Sequence, residues 1–135
     1  MKNLMPLSDG KLMVKNYLDN KSKVFTGEIT LPNTETYDSE AFVELLKQPD
    51  CVKIRIHYGM NEEKVICAIF VGVDTNGNEI TIKNNGIIAN AGADDEYVIE
   101  LSTKCPPFCP PENDQIFKKL KIVWKKFIIF HIFCF

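Results

Sequence analysis

The most constraining feature of this sequence is a run of alternating residues between Cys51 and Lys83. In CVKIRIHYG, apolar side chains alternate with Lys53, Arg55 and His57. A period of two is typical of a strand with one face buried. The next run, VICAIFVGV, would carry apolar residues on both faces of a strand, which is typical of a central strand. The sequence therefore predicts two antiparallel strands here, followed by a third in EITIK.

The dipeptide Asn76-Gly77 sets the expected register of the second hairpin. It is the strongest short hairpin signal and predicts a type I′ turn. That turn places Val73 opposite Ile80 and Val71 opposite Ile82. Apolar residues then coincide on one face.

The first hairpin has a connection whose length decides which side chains share a face. A loop from Met60 to Glu63 places Ile56 opposite Cys67 and Ile54 opposite Ile69, which keeps apolar residues together. Cys67 would then face the core. Cys51 would lie on the face of Lys53, Arg55 and His57, so the two thiols are not expected to bridge.

The remaining elements follow from caps and breakers. A short helix is expected from Ser8 or Asp9 to about Asn20, and a second after Asp38, ended by Pro49. Val24–Leu31 is predicted as an edge strand that could pair between chains, and Tyr97–Leu101 as a fourth sheet strand. The predicted fold is α+β: an antiparallel meander of about four strands with two short helices packed on one face. Residues 1–112 would form a single domain and 113–135 a tail.

Charge and cysteine content narrow the function classes. The net charge is −2, and residues 114–135 hold five lysines and one aspartate, or +4, which leaves −6 for the rest. A mildly acidic body argues against a nucleic-acid partner. Five cysteines and a start without an apolar leader predict a cytoplasmic protein with reduced thiols.

The segment Cys105-Pro-Pro-Phe-Cys109-Pro-Pro has three interpretations. It is a stiff structural segment, a thiol or metal site using Cys105 and Cys109, or a docking site formed by Pro106, Pro107 and Phe108. In straight polyproline II the two cysteine Cα atoms would lie roughly 12 Å apart, too far for a disulfide. Zinc usually takes four ligands, and no second CxxC or histidine pair supplies them. The structural interpretation is preferred, and no metal or cofactor is predicted.

The polar face of the first strand is the other candidate site. Lys53, Arg55 and His57 would form a patch able to hold an anion or a partner, although a solvent-facing strand has the same pattern. No nucleophile elbow, phosphate-binding loop, dinucleotide fingerprint or zinc-protease motif occurs, so no catalytic residue is predicted. The sequence therefore favours a non-enzymatic module that binds a ligand or a protein partner.

The last twenty residues, IFKKLKIVWKKFIIFHIFCF, differ from the rest in being both basic and apolar. Their lysines make a bilayer span unfavourable, because each costs about 2.5–3.5 kcal/mol at the centre. Three interpretations remain: a membrane-surface segment in a membrane-peripheral protein, an element packed on the domain, or a tail not selected for folding.

The combined motifs also resemble a family. Residues 31–42, the strand IRIHYGM, the hairpin VGVDTNG and the CPPFCPP segment resemble a group of small uncharacterised proteins of Bacteroidota. The resemblance covers about residues 6–112 and implies a bacterial, cytoplasmic, single-domain protein. It brings no activity. Such proteins end soon after the CPPxCPP segment, so the tail from Asn113 is a departure that favours the unselected-tail interpretation.

Overall fold

The structure is a computed structural model that describes residues 3–24 and 27–109. The described chain falls into two compact units, one containing the first helix and the other running from Glu28 to Pro107. The described residues form two helices and seven short strands in three antiparallel sheets. The α+β class is confirmed, whereas the four-strand meander is only approximate. The tail 113–135 lies outside the described residues.

The first helix, α1 (Leu7–Val24), is longer than predicted. The Asn20 side chain, expected at its end, instead donates to the Asn16 carbonyl, and Lys15 pairs with Asp19 one turn apart. Such pairs carry the helix onward. The predicted edge strand 24–31 is therefore wrong, because Val24 is helical and Thr30 makes only an isolated bridge.

The second helix, α2 (Ser39–Leu46), begins and ends where predicted. Asp38 occupies the N-cap position with an extended backbone, and Pro49 follows the last turn. Leu45 on its inner face is fully buried and packs with Ile82 and Ile99. This helix thus covers the core of the second unit.

The seven strands make three small sheets. The largest has the order β2–β3–β4, so β2 is an edge strand. The other two each pair residues that lie far apart in sequence. The bounds are β1 (Thr34–Thr36) with β7 (Thr103–Cys105), β2 (Lys53–Met60), β3 (Ile66–Val73), β4 (Glu79–Ile80), and β5 (Ile82–Lys83) with β6 (Glu96–Tyr97).

The observed register between β2 and β3 differs from the predicted one. Ile56 lies opposite Phe70, not Cys67, and Ile54 lies opposite Gly72. Met60, expected in the loop, still pairs with Ile66, so the connection runs from 61 to 65 and is one residue longer than expected. The Asn61 side chain accepts a hydrogen bond from the Val65 N–H at 2.9 Å and closes the loop.

The second hairpin also departs from the expected two-residue turn. Val73 lies opposite Glu79, and Gly72 lies opposite Ile80. The Asp74 carboxylate accepts hydrogen bonds from the N–H groups of residues 76 and 78, both at 2.8 Å. Gly77 then adopts φ +91°, so a turn followed by one left-handed residue replaces the type I′ turn.

The new register reassigns the two sheet faces. Directly opposed residues share a face, so Lys53, Arg55 and His57 lie on the same face as Cys67 and not on the opposite one. A Cβ added at Gly72 would lie 2.7 Å from the Cys51 sulfur, which places that sulfur on the other face. Cys67 is buried in the core, as predicted, but its predicted separation from the face of Lys53 is wrong, and so is the predicted face of Cys51. The prediction that the two cysteines do not bridge is confirmed because both are free.

The outer edge of β3, opposite β2, is completed by several separate segments and not by one strand. Glu35 and Tyr37 satisfy the backbone of Ala68 with side chains. Backbone groups serve the neighbouring positions. The partners are Thr30 C=O for the Ile66 N–H at 2.9 Å, Glu35 Oε1 for the Ala68 N–H at 3.2 Å, the Tyr37 hydroxyl for the Ala68 C=O at 2.7 Å, and Ile99 for Phe70 in both directions at 2.9 and 3.2 Å.

Three aromatic rings join α2 to the sheet. Phe70 on β3 meets Tyr37 and Phe42 edge to face, with both centroid distances 5.0 Å. Such pairs contribute about 0.5–1.5 kcal/mol beyond their buried area. Together with Leu45 and Ile99 they form the core against which a groove is built.

Candidate functional site: an acidic-rimmed apolar groove

A groove of about 1110 Å³ lies beside α2 in the second unit. We call it the α2 groove. One wall is α2 and the opposite wall is the chain from 85 to 88 and from 96 to 101. Its lining residues are Tyr37, Asp38, Glu40, Ala41, Val43, Glu44, Lys47, Ile82, Asn85, Gly86, Ile87, Ile88, Glu96, Tyr97, Val98, Ile99, Glu100 and Leu101.

The groove has an apolar interior. Ile82 and Ile99 lie buried in it, where they belong to the core cluster. Val43, Ile88 and Val98 line it and remain about half exposed. Exposed apolar side chains gathered in one concave surface are typical of a binding site, because isolated proteins rarely leave such patches uncovered.

One wall of the α2 groove is held in place by a buried asparagine. Asn84 is 3% exposed. Its side-chain nitrogen donates to the Gly92 carbonyl at 3.0 Å, and its side-chain oxygen accepts from the Ile88 N–H at 2.9 Å. Its backbone N–H donates to the Asp95 carbonyl at 3.0 Å. The loop that presents Ile87 and Ile88 is therefore organised around one side chain.

The other wall is tied to the same loop through Gln48. Its side-chain nitrogen donates to the Glu44 carbonyl at 3.1 Å, at the end of α2. Its side-chain oxygen accepts from the Lys83 N–H at 3.4 Å on β5. Gln48 is buried, so these bonds are shielded from water. Gln48 thus links α2 to β5, the strand that leads into the loop of the opposite wall.

The rim of the α2 groove is acidic. Five carboxylates line it against one lysine, and three of the five are already in ion pairs. The pairs are Glu44 with Lys47 at 2.6 Å, Glu96 with Lys83, and Glu100 with Lys104 at 2.8 Å. Within the described chain no ion pair involves Asp38 or Glu40, at the start of α2.

Glu100, one of the paired carboxylates of the rim, has a shifted pKa. The hydrogen bond from Lys104 holds the pKa of Glu100 below its ordinary value, despite the opposing effect of burial. For Tyr97, burial and the nearby Asp95 raise the pKa of the phenol. At neutral pH this end therefore has an ionised Glu100 and an un-ionised Tyr97.

The structure brings together the sequence-predicted patch of Lys53, Arg55 and His57, but with an acid in its middle. Arg55 and His57 both contact Glu79 Oε1 at 2.7 Å. The hydrogen bonds from Arg55 and His57 lower the pKa of Glu79. The acid therefore occupies the position where an external anion was expected. Lys53 is exposed and is the one member of the patch without a bond to Glu79 in the described structure.

The other predicted binding residues, Pro106, Pro107 and Phe108, are exposed, and Phe108 keeps 71% of its surface. Pro106 and Pro107 form a turn, so the cysteine separation estimated for straight polyproline II does not apply. Cys105 and Cys109 are both disulfide-bonded, which contradicts the expectation of reduced thiols at these two positions. A disulfide sulfur is not a thiolate, so neither cysteine is a ready metal ligand in this state.

Sequence reasoning did not predict the α2 groove. Its walls come from short stretches with no regular period, and the residue that organises one of them, Asn84, looks like an ordinary turn residue in Asn84-Asn85-Gly86. The usable signals were two apolar pairs, Ile87-Ile88 between two predicted turn segments and Val98-Ile99 in the predicted fourth strand.

Comparison with protein-family models, curated proteins and solved structures gives no match for this chain. Within residues 3–24 and 27–109, no cluster of three or more His, Cys, Asp or Glu side chains is arranged to hold a metal ion. In the same residues, no helix combines the length and apolar character that crossing a bilayer requires. The basic, apolar segment 116–135, considered as a membrane-surface element, lies outside the described residues.

Proposed function

We propose that this protein is a non-enzymatic interaction module whose α2 groove binds an apolar segment of a partner protein, flanked by lysine or arginine. The observation that carries the proposal is the groove itself: an apolar interior with an acidic rim. Size and charge then narrow the ligand class.

Size favours a peptide over a small molecule. Small-molecule sites usually enclose about 300–1,000 Å³ and bury most of their ligand. The α2 groove has about 1110 Å³, and several of its lining side chains are about half exposed. The volume is close to the top of the small-molecule range, so the exposure of the lining is the stronger argument: an open groove suits an apolar segment of a protein better than an enclosed small ligand.

Charge supports basic flanks. Asp38 and Glu40 lie together at the start of α2, without a described ion pair, beside the apolar wall formed by Val43. A basic side chain of the partner would be attracted to these two carboxylates, which have no described ion pair within the chain. Exposed ion pairs contribute only about 0.2–1 kcal/mol each. Apolar burial thus provides most of the affinity, and the rim provides the preference for a basic partner.

The chemistry of the lining also supports binding without catalysis. No histidine, cysteine, serine or threonine lines the groove, so a serine, threonine or cysteine nucleophile paired with a histidine base is not part of its lining. Three of its carboxylates already form ion pairs with lysines. The remaining two, Asp38 and Glu40, lie together at the start of α2, where the proposal assigns them to a basic side chain of the partner.

Fluorescence anisotropy with labelled synthetic peptides tests the proposal. The probe carries leucine and phenylalanine in its centre and lysines at both ends, and a matched peptide carries glutamates at the ends. We expect the lysine peptide to bind more tightly, with an affinity that falls as salt rises.

Two variants separate the apolar and charged contributions. Val98→Glu places a charge in the groove and should weaken binding at least about tenfold, or about 1.4 kcal/mol. Glu40→Gln should reduce the preference for lysine ends and leave the glutamate peptide unchanged or slightly better bound. Val52→Glu, at an exposed site outside the groove, is the matched control. Equal binding of both peptides by all variants would refute the proposal.

A further inference from the structure

The strand β2 has an open edge. It is the outermost strand of its sheet and pairs with β3 along its eight residues. Phe70 on β3 directs its N–H and C=O to Ile99, away from β2. Its opposite residue, Ile56, therefore directs its own N–H and C=O outward, as Ile54 and Tyr58 also do by alternation. Within the described chain no other strand pairs with this edge.

The side chains beside this edge are apolar and exposed on one face. Ile54, Ile56, Tyr58 and Met60 alternate along β2, and Tyr58 retains 82% of its surface. An exposed strand edge with apolar side chains is a template for another strand. Natural proteins usually protect such an edge with a charge that points inward, a proline or a bulge. No described bulge or proline interrupts β2.

We propose that the open edge of β2 pairs with β2 of a second copy of this chain, in antiparallel orientation about a two-fold axis. With the axis at His57, Ile56 of one copy faces Tyr58 of the other, and Ile54 faces Met60. Every apolar residue thus meets an apolar residue, and the outward backbone groups of both strands are satisfied.

The opposite face selects this register. With the axis at His57, Arg55 faces Gly59 and Lys53 faces Asn61, and the single contact between basic residues is His57 with His57 of the other copy. With the axis at Ile56, Arg55 would face His57 of the other copy, which is unfavourable when the histidine is protonated. Glu79 binds both Arg55 and His57 within each copy and reduces the repulsion at the centre.

Charge also favours a second copy over an acidic strand from another protein. An acidic strand would be attracted by uncompensated cations along β2, but Arg55 and His57 already share Glu79. Of the three basic residues on β2, Lys53 alone has no bond to Glu79 and could attract an acidic strand. The apolar face remains the larger uncovered surface, and an identical strand matches it at every second position.

The expected dimer is weak. Two paired eight-residue strands bury less than the roughly 1,200–2,000 Å² of a stable interface. Association should therefore depend on concentration, with a dissociation constant in the micromolar to millimolar range, on the order of 10⁻⁶–10⁻³ M.

Sedimentation velocity of the full chain over a concentration series tests the dimer. Amide hydrogen exchange on the same samples identifies the edge: protection of Ile54, Ile56 and Tyr58 should increase with concentration, while Arg55 and His57, already bonded to β3, should change little. Tyr58→Pro removes one outward N–H, a change that edge strands tolerate. Both Tyr58→Pro and Ile56→Lys should reduce association at least about tenfold.

Met13→Lys, at an exposed apolar position on α1, is the matched control and should associate like the unchanged chain. Circular dichroism confirms that each variant is folded. A monomer at every concentration would overturn the proposal, and so would a dimer that survives both β2 variants. Protection of Ile56 that is independent of concentration would also overturn it, because another part of the same chain would then occupy the edge.

Discussion

The Tyr37 hydroxyl lies 2.7 Å from the carbonyl oxygen of Ala68, where a neighbouring strand would normally supply a donor. The same hydroxyl lies 2.7 Å from Glu35 Oε2, and Glu35 accepts from the Ala68 N–H. Side chains from just after β1 and from β1 itself therefore complete one position of a sheet. This arrangement makes Tyr37 a sensitive point for stability.

Tyr37→Phe should destabilise the protein by about 1–3 kcal/mol, because the partly buried carbonyl of Ala68 loses its donor. Equilibrium urea unfolding followed by circular dichroism measures the change. Tyr58→Phe is the control, since Tyr58 is highly exposed and should change stability by less than about 0.5 kcal/mol. Equal effects of the two substitutions would contradict the assigned role of Tyr37.

Tyr37 should also make stability fall at alkaline pH. Burial, and then the hydrogen bond with Glu35, raise the pKa of Tyr37 above its ordinary value of 10.0. Above pH 10 the unfolded phenol releases its proton while the folded one retains it, so stability present below pH 10 is lost as pH rises further. The loss should be shallower in Tyr37→Phe, as measured by urea midpoints across the alkaline range.

Glu100 should contribute to acid sensitivity in the opposite direction. The hydrogen bond from Lys104 lowers the pKa of Glu100 below its ordinary value of 4.5. The unfolded state therefore binds a proton first, and the stabilisation present above pH 4.5 is lost as pH falls below it. Glu100→Gln should flatten this part of the stability profile. An unchanged acid slope would show that the Lys104 pair contributes nothing.

Asn84→Ala should release the loop that forms one wall of the α2 groove. The substitution leaves the Ile88 N–H and the Gly92 carbonyl without their described partner, at a cost of about 1–3 kcal/mol. Hydrogen exchange at Ile88 should accelerate, and binding of the lysine-ended peptide should weaken. Asn16→Ala, at an exposed position on α1 outside the groove lining, should do neither.

The two free cysteines of the described residues, Cys51 and Cys67, should react at different rates. Cys67 is buried, and burial followed by the nearby Glu100 raises the pKa of its thiol, so little thiolate is present. Cys51 is more exposed. Brief alkylation of the native protein, read by peptide mass spectrometry, should label Cys51 first, whereas the unfolded protein should label both alike. Faster labelling of native Cys67 would contradict its described burial.

The α+β class and the limits of α2 were predictable because they depend on local signals. Periodicity marks β2 and β3, while Asp38 and Pro49 mark the ends of α2. The strand register was not predictable, because it depended on how Asn61 and Asp74 close their loops with side-chain hydrogen bonds. A shift of this kind moves every side chain to a different partner.

The α2 groove depends on contacts that no local pattern records. Asn84 reaches residues 88 and 92, and Gln48 reaches Lys83, a separation of 35 positions. The patch of Lys53, Arg55 and His57 was predictable as a face. The acid at its centre was not, because only the observed register brings Glu79 beside it.

The divided outer edge of β3 has a consequence for how the chain is made. Glu35 lies 33 positions before the amide that it binds, while Ile99 follows β3 only after three further short strands and their loops. During synthesis one edge of β3 can pair with β2 as soon as β3 leaves the ribosome. The other edge lacks some of its hydrogen-bond partners until residue 99 emerges. Because contacts distant in sequence form slowly, we expect the nascent hairpin to be the species most dependent on chaperones.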